Sequence, residues 1–148
     1  MPRLDAERVA LWRAVQTASE VVTRLIEAEM ADEFQLSLPQ FDLLAVLADH
    51  DDQLRVKELC EKLNAIPSSL SRRIDGLVDR GLVTREPAPT EDDNRAVMVR
   101  LTRYGRFMWR DANILYRRAI QREFACGLSE TDVATMSRAL AKVAPFKD

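Results

Sequence analysis

Apolar residues return along this chain at helical spacing over most of its length and alternate with polar ones in a single place. Between about Asp5 and Ala31, Leu11, Val15, Ala18, Val22 and Leu25 recur at steps of 4, 3, 4 and 3, the mark of an amphipathic helix. Such a helix is about 40 Å long, more than so small a domain covers alone, and a partner subunit is its natural cover. Leu36-Ser37-Leu38-Pro39-Gln40-Phe41 writes a second helix start: Ser37 as N-cap, Gln40 completing the box, and Leu36 with Phe41 as the staple. This helix runs to about Asp49 and is expected to bury Phe41, Leu44, Ala45 and Ala48. Leu54-Arg55-Val56 suits a brief strand, and Lys57 to Asn64 a third helix packed through Leu59, Cys60 and Leu63.

The segment from Ile66 to Arg80 predicts a fourth helix with one apolar side, Leu70, Ile74, Leu77 and Val78, and one polar side bearing Ser68, Ser69, Arg72 and Asp75. Pro67 fits its first position, where a missing N–H costs nothing. Two short helices joined by Asn64-Ala65-Ile66 make a helix-turn-helix. Small hydroxyls and an arginine near a helix start suit a DNA groove, although a plain solvated face reads the same way.

Gly81 is expected to cap this helix, and the period then changes. Leu82 to Arg85 reads as a strand, Pro87 to Asn94 as a polar loop, and Val97, Val99 and Leu101 alternate with Ala96, Met98 and Arg100 as a second, half-buried strand. The two strands form a wing behind the helix-turn-helix. Thr102 caps a fifth helix, Arg103 to Ala125, apolar on more than one side, which Gly127 stops. Ser129 and Asp132 make a second capping box, and the last helix is expected to bury Val133, Met136, Leu140 and Val143. A symmetric dimer built from the two chain ends would cover their excess apolar surface.

At 148 residues one domain is expected, residues 1–148, with dimerisation helices over 5–33 and 102–146 and the winged helix over 37–101. The net charge of −2 argues against a nucleic-acid binder, but its distribution does not. From Asp52 to Arg110 there are 12 basic against 9 acidic residues, leaving the remainder with 10 against 15. Nothing in the sequence spans a membrane or resembles a signal peptide, and a cytoplasmic protein is expected. Cys60 and Cys126 match no metal or redox spacing, and Cys60 reads as a small buried hydrophobe. The single histidine, His50, reads as a helix-end residue, so no metal is expected. With no Gly-rich phosphate loop and no nucleophile beside a base, neither an enzyme nor a cofactor is expected.

The order of elements and four motifs together resemble the MarR family of bacterial winged-helix regulators over nearly the whole chain. Asp93-Asn94-Arg95 through Val97-Met98-Val99-Arg100-Leu101-Thr102 and Gly105 is similar to the family's D-x-R…V-x-L-T…G signature. Ser71-Arg72-Arg73-Ile74-Asp75 with Arg80-Gly81-Leu82-Val83, Leu38-Pro39-Gln40-Phe41, and Val56-Lys57-Glu58-Leu59 match its helices. The resemblance implies a mainly α fold with an α+β wing, a winged helix-turn-helix with N- and C-terminal dimerisation helices. It further implies a homodimeric transcription factor, usually a repressor, on a palindromic double-stranded operator, often released by a small aromatic or phenolic ligand.

Carried over residue by residue, Ser68, Ser69, Ser71, Arg72 and Arg73 face the major groove or its phosphates, with Ser37 and Gln40 beside them. Arg95 reaches toward the minor groove, steadied by Asp93; a solvated ion pair is the plain alternative. Trp12, Arg13 and His50 are the ligand candidates, each otherwise structural. Two departures stand out: Ile66 replaces a hydroxyl cap, and Gly76 leaves out a polar side chain that would otherwise add a phosphate contact. The competing function is a winged-helix protein-interaction module, an anti-repressor or scaffold without its own DNA site.

Overall fold

The computed structural model describes residues 5–88 and 95–143. Its elements are α1 (Ala6–Phe34), α2 (Leu38–Ala48), β1 (Gln53–Arg55), α3 (Val56–Leu63), α4 (Pro67–Asp79), β2 (Val83–Pro87), β3 (Val97–Leu101), α5 (Arg103–Ile120) and α6 (Glu130–Val143). A π-helical turn, Gln121–Ala125, follows α5 where the sequence suggested unbroken α-helix. The chain divides into two compact units, Ile26–Arg117 and the described parts of Met1–Leu25 with Arg118–Asp148. The fold is therefore mainly helical with a small antiparallel sheet, as the hydrophobic periods predict.

The central unit, Ile26–Arg117, holds the core. Met30, Leu36, Phe41, Leu43, Leu44, Leu47, Leu59, Leu70, Ile74 and Leu77 pack together with Leu82, Val83 and Val99. In α2 the buried positions include Leu43 and Leu47, while Ala45 and Ala48 are only half-buried. The helix is covered on more than one side, so a single-face reading misplaces its burial. The N-terminal box forms as expected: the Gln40 N–H donates to Ser37 Oγ at 3.2 Å and the Ser37 N–H to Gln40 Oε1 at 3.1 Å.

The sheet has three strands in the order β1-β3-β2, so the brief strand expected near Leu54 joins the two of the wing. Leu54 stands opposite Val99 on one side of β3, and Arg85 opposite Val99 on the other. Both helices of the helix-turn-helix end on a left-handed residue. Asn64, at φ 47°, lets the Ala65 N–H reach the Cys60 carbonyl at 3.0 Å. Gly81, at φ 71°, lets the Leu82 N–H reach the Leu77 carbonyl at 3.0 Å and the Gly81 N–H that of Val78 at 2.9 Å.

Three side chains tie the central unit together beyond its apolar core. The Thr102 hydroxyl donates to the Gly81 carbonyl at 2.7 Å and accepts from the Gly105 N–H at 2.9 Å. Arg106 donates through Nε to Asp52 at 2.8 Å, with a second bond through its terminal nitrogen. That carboxylate holds the guanidinium's proton more firmly still. Arg80 donates to the Gln35 and Phe34 carbonyls at 2.8 and 2.9 Å, satisfying acceptors left open where α1 ends. Replacing Arg80 by Ala is expected to cost about 1–2 kcal/mol, because two carbonyls lose a charged donor; urea denaturation checks it, and an unchanged midpoint contradicts it.

The terminal unit is different. Its helical segments leave their apolar stripes bare in the single chain: Leu11 is 65% exposed, Trp12 59% and Val143 76%. Val133, Met136 and Leu140, expected to be buried, are exposed too, because the single chain supplies no cover for that face of α6. The capping box at its start does form, with the Ser129 N–H 2.9 Å from the Asp132 carboxylate, whose pKa is lowered by that bond. Among the described residues no helix is long and apolar enough to cross a membrane.

Candidate nucleic-acid interface

Helix α4 starts at Pro67 without a side-chain cap, Ile66 taking the extended cap conformation. Leu70, Ile74 and Leu77 are fully buried, which fixes the rotation of the helix about its own axis. The opposite face is therefore fixed as well: Ser68, Ser69, Ser71, Arg72 and Asp75 are all exposed. A row of short hydroxyls beside an arginine, on a helix clamped from behind, offers donors and acceptors that backbone and bases of a duplex can approach closely.

Arg73 stands apart from that row. It is half-buried, and it faces the Asp42 carboxyl, which burial holds above the ordinary carboxylate range while the Arg73 charge offsets part of that rise. The structure thus gives Arg73 an electrostatic partner on α2 in addition to any outside ligand. Burial likewise raises the Tyr116 phenol, with Asp42 adding to the effect, and the Tyr116 ring packs on Phe41 at 4.7 Å.

Ser37 and Gln40 both serve the α2 capping box. Gln40 Nε2 also lies 3.0 Å from where a Cβ on Gly76 would stand. At Gly76, α4 thus passes close to the Gln40 side chain of α2, which would have to shift to admit a side chain there.

On the wing, Arg95 is exposed, while Asp93 and the ion pair proposed for it lie outside the described residues. Exposed Arg100 and Glu86 pair across β3 and β2 at 3.2 Å, an arrangement of little energetic weight in water. Arg85, which no motif or spacing singles out, leaves β2 and donates to the Asp75 carboxylate and, at 3.2 Å, to the Ser71 carbonyl of α4. Only an alternation of charge with exposure along β2 would have pointed to it.

The ligand candidates separate. Trp12 and Arg13 lie on the terminal unit, both exposed. His50 belongs to the central unit, half-buried, its Nδ1 2.8 Å from the Val46 carbonyl, the contact of a helix-end residue. Cys60 is half-buried against the core and Cys126 exposed. Among the described residues no group of His, Cys, Asp and Glu is gathered to hold a metal ion.

A family model described as the MarR family matches residues 34–92, the stretch from the end of α1 to the wing. The multiple antibiotic resistance protein MarR of Escherichia coli strain K12 is 29% identical over 139 residues, 94% of each chain. A crystal structure of a mutant E. coli MarR complexed with operator DNA is 28% identical, with a TM-score of 0.81 over 96% of this chain and 99% of that one. AbsC, a MarR family transcriptional regulator from Streptomyces coelicolor, shares the fold at 23% identity and a TM-score of 0.88, over 98% of this chain and 97% of that one. The motifs of the wing and helix-turn-helix, the family model over residues 34–92 and a relative spanning almost the whole length all agree, and in sequence and fold the chain is similar to the MarR family of transcriptional regulators.

Proposed function

We propose that the protein acts as a homodimer on a palindromic double-stranded operator, inserting α4 of each copy into successive major grooves. The observation that carries this reading is the polar face of α4, with Ser68, Ser69, Ser71 and Arg72 exposed over a fully buried Leu70, Ile74 and Leu77. The E. coli relative solved on operator DNA supports it. Arg95 on the wing, with Asp93, is assigned to the minor groove, and Ser37, Gln40 and Arg73 to the flank of the same surface. The bare apolar stripes of the terminal unit, Leu11, Trp12, Leu25, Val133, Leu140 and Val143, support dimerisation through the chain ends. Two reading helices one DNA turn apart, ~34 Å, then require a two-fold site.

Regulation is the finer part of the proposal: repression relieved by a small aromatic or phenolic effector. Exposed Trp12 offers a ring to stack on and Arg13 a cation for an acidic group. Titrating small aromatic acids into the operator complex tests it through loss of DNA binding.

Selection of duplexes from a random-sequence pool, followed by titration, tests the function itself. Binding should fall steeply with salt as phosphate counterions are released. Arg72→Ala and Arg95→Ala should each weaken the selected site by about 1–3 kcal/mol without changing the sedimentation of the dimer. A wild-type chain that enriches no duplex at low salt would overturn the reading and favour a winged helix used for protein contacts alone.

A further inference from the structure

We propose that Arg85 is a positioning residue for DNA recognition, a strut from β2 that sets the reading face of α4; this rests on the DNA-binding function above. The first turn of α4 has no side-chain cap, so the hydroxyl-bearing stretch Ser68–Arg72 is not tied down at its own start. Apolar packing of Leu70, Ile74 and Leu77 holds the helix from behind. On the exposed side Arg85 holds Ser71 and Asp75, donating to the Ser71 carbonyl at 3.2 Å, lying 3.5 Å from the Ser71 hydroxyl, and bonding the Asp75 carboxylate. Ser71 and Asp75 are one helical turn apart, so the planar guanidinium spans that turn as a fork.

Two consequences follow. The strand that begins the wing and the helix beside it share one rigid contact, so the two DNA-reading elements hold a fixed spacing. Asp75, a carboxylate on a face that must meet phosphates, is neutralised where it stands instead of repelling the duplex. Both partners are partly exposed, Arg85 at 36% and Asp75 at 56%, and exposed pairs add little to folding. Removing the strut should therefore leave a folded protein that reads DNA less well.

The test uses the full chain and a duplex selected by the wild type, with affinity followed by fluorescence anisotropy over a salt series. Arg85→Ala and Asp75→Ala should each weaken binding about fivefold, and the double variant no more than Arg85→Ala alone. Loss on Asp75→Ala is the telling sign, because deleting a negative charge should otherwise tighten binding to a polyanion. The salt slope should be unchanged, since no phosphate contact is removed, and the unfolding midpoint should stay within about 2 °C of wild type. If Arg85→Ala unfolds, Arg85→Lys keeps the charge without the fork and should show the same loss.

Additive losses, or a slope lower by about 0.9 for Arg85→Ala with Asp75→Ala neutral or tighter, would make Arg85 a direct phosphate ligand and overturn the proposal. Variants that bind as well as wild type would overturn it too, while leaving the DNA-binding function standing. A wild type that selects no duplex removes both.

Discussion

Gly105→Ala should lower stability by about 3–5 kcal/mol, among the largest effects of any single methyl added to this chain. A Cβ on Gly105 would stand 1.9 Å from the Leu82 carbonyl oxygen and 2.8 Å from its carbon, far inside van der Waals contact. Neither side has room to retreat. The Leu82 side chain is fully buried, and its carbonyl accepts from the Thr102 N–H at 3.1 Å and the Thr102 hydroxyl at 3.2 Å. Gly105 itself is held through the bond from its N–H to Thr102 Oγ1. For a chain of this length each kcal/mol is worth about 2–4 °C, so the melting temperature should fall by about 6–20 °C in calorimetry. A fall of less than about 3 °C would mean that the root of α5 slides freely over the end of α4, contrary to the hydrogen bonds that join them.

Leu77→Ala should cost about as much for a different reason. Leu77 is fully buried in the central core, and its carbonyl anchors the left-handed turn that ends α4 by accepting from the Leu82 N–H. Truncation leaves a cavity at the back of the helix, for which Leu-to-Ala changes cost about 2.7–5 kcal/mol. The expected signature is a lower urea midpoint with an unchanged slope, since the surface exposed on unfolding is nearly the same. Ser69→Ala on the opposite face of α4 serves as the contrast and should stay within about 0.5 kcal/mol of wild type. Equal losses for the two would mean that the helix is not seated on its apolar side.

What the sequence made legible was whatever depended on neighbours along the chain. The capping boxes of α2 and α6 could be read because donor and acceptor lie three residues apart. The turn into α4 was legible because Pro67 has few other uses. The resemblance carried by Leu101, Thr102 and Gly105 pointed to the right place without its reason, which appears only when the Leu82 carbonyl comes to rest against Gly105.

What depended on distant residues was lost. The brief strand β1 was legible, but its pairing with β3, which follows two helices and another strand, was not. The approach of Gly76 to Gln40 could not be read because the two sit on different helices. Arg85, Arg80 and the pair Arg106 with Asp52 are each long-range, and no spacing announces them. Of the site proposed from sequence, Ser68, Ser69, Ser71 and Arg72 lie on one exposed face, while Arg73 and Gln40 also have neighbours within the protein.

The order of the sheet bears on how the protein behaves at high concentration. Its central strand is hydrogen-bonded on both sides, so among the described residues β1 and β2 are the edges that offer a free ladder. One of these edges is three residues long, and the other closes on Pro87, which has no N–H to give. A neighbouring molecule looking for a strand to extend finds a template too short to grip. The described strands therefore offer little to seed edge-to-edge aggregation.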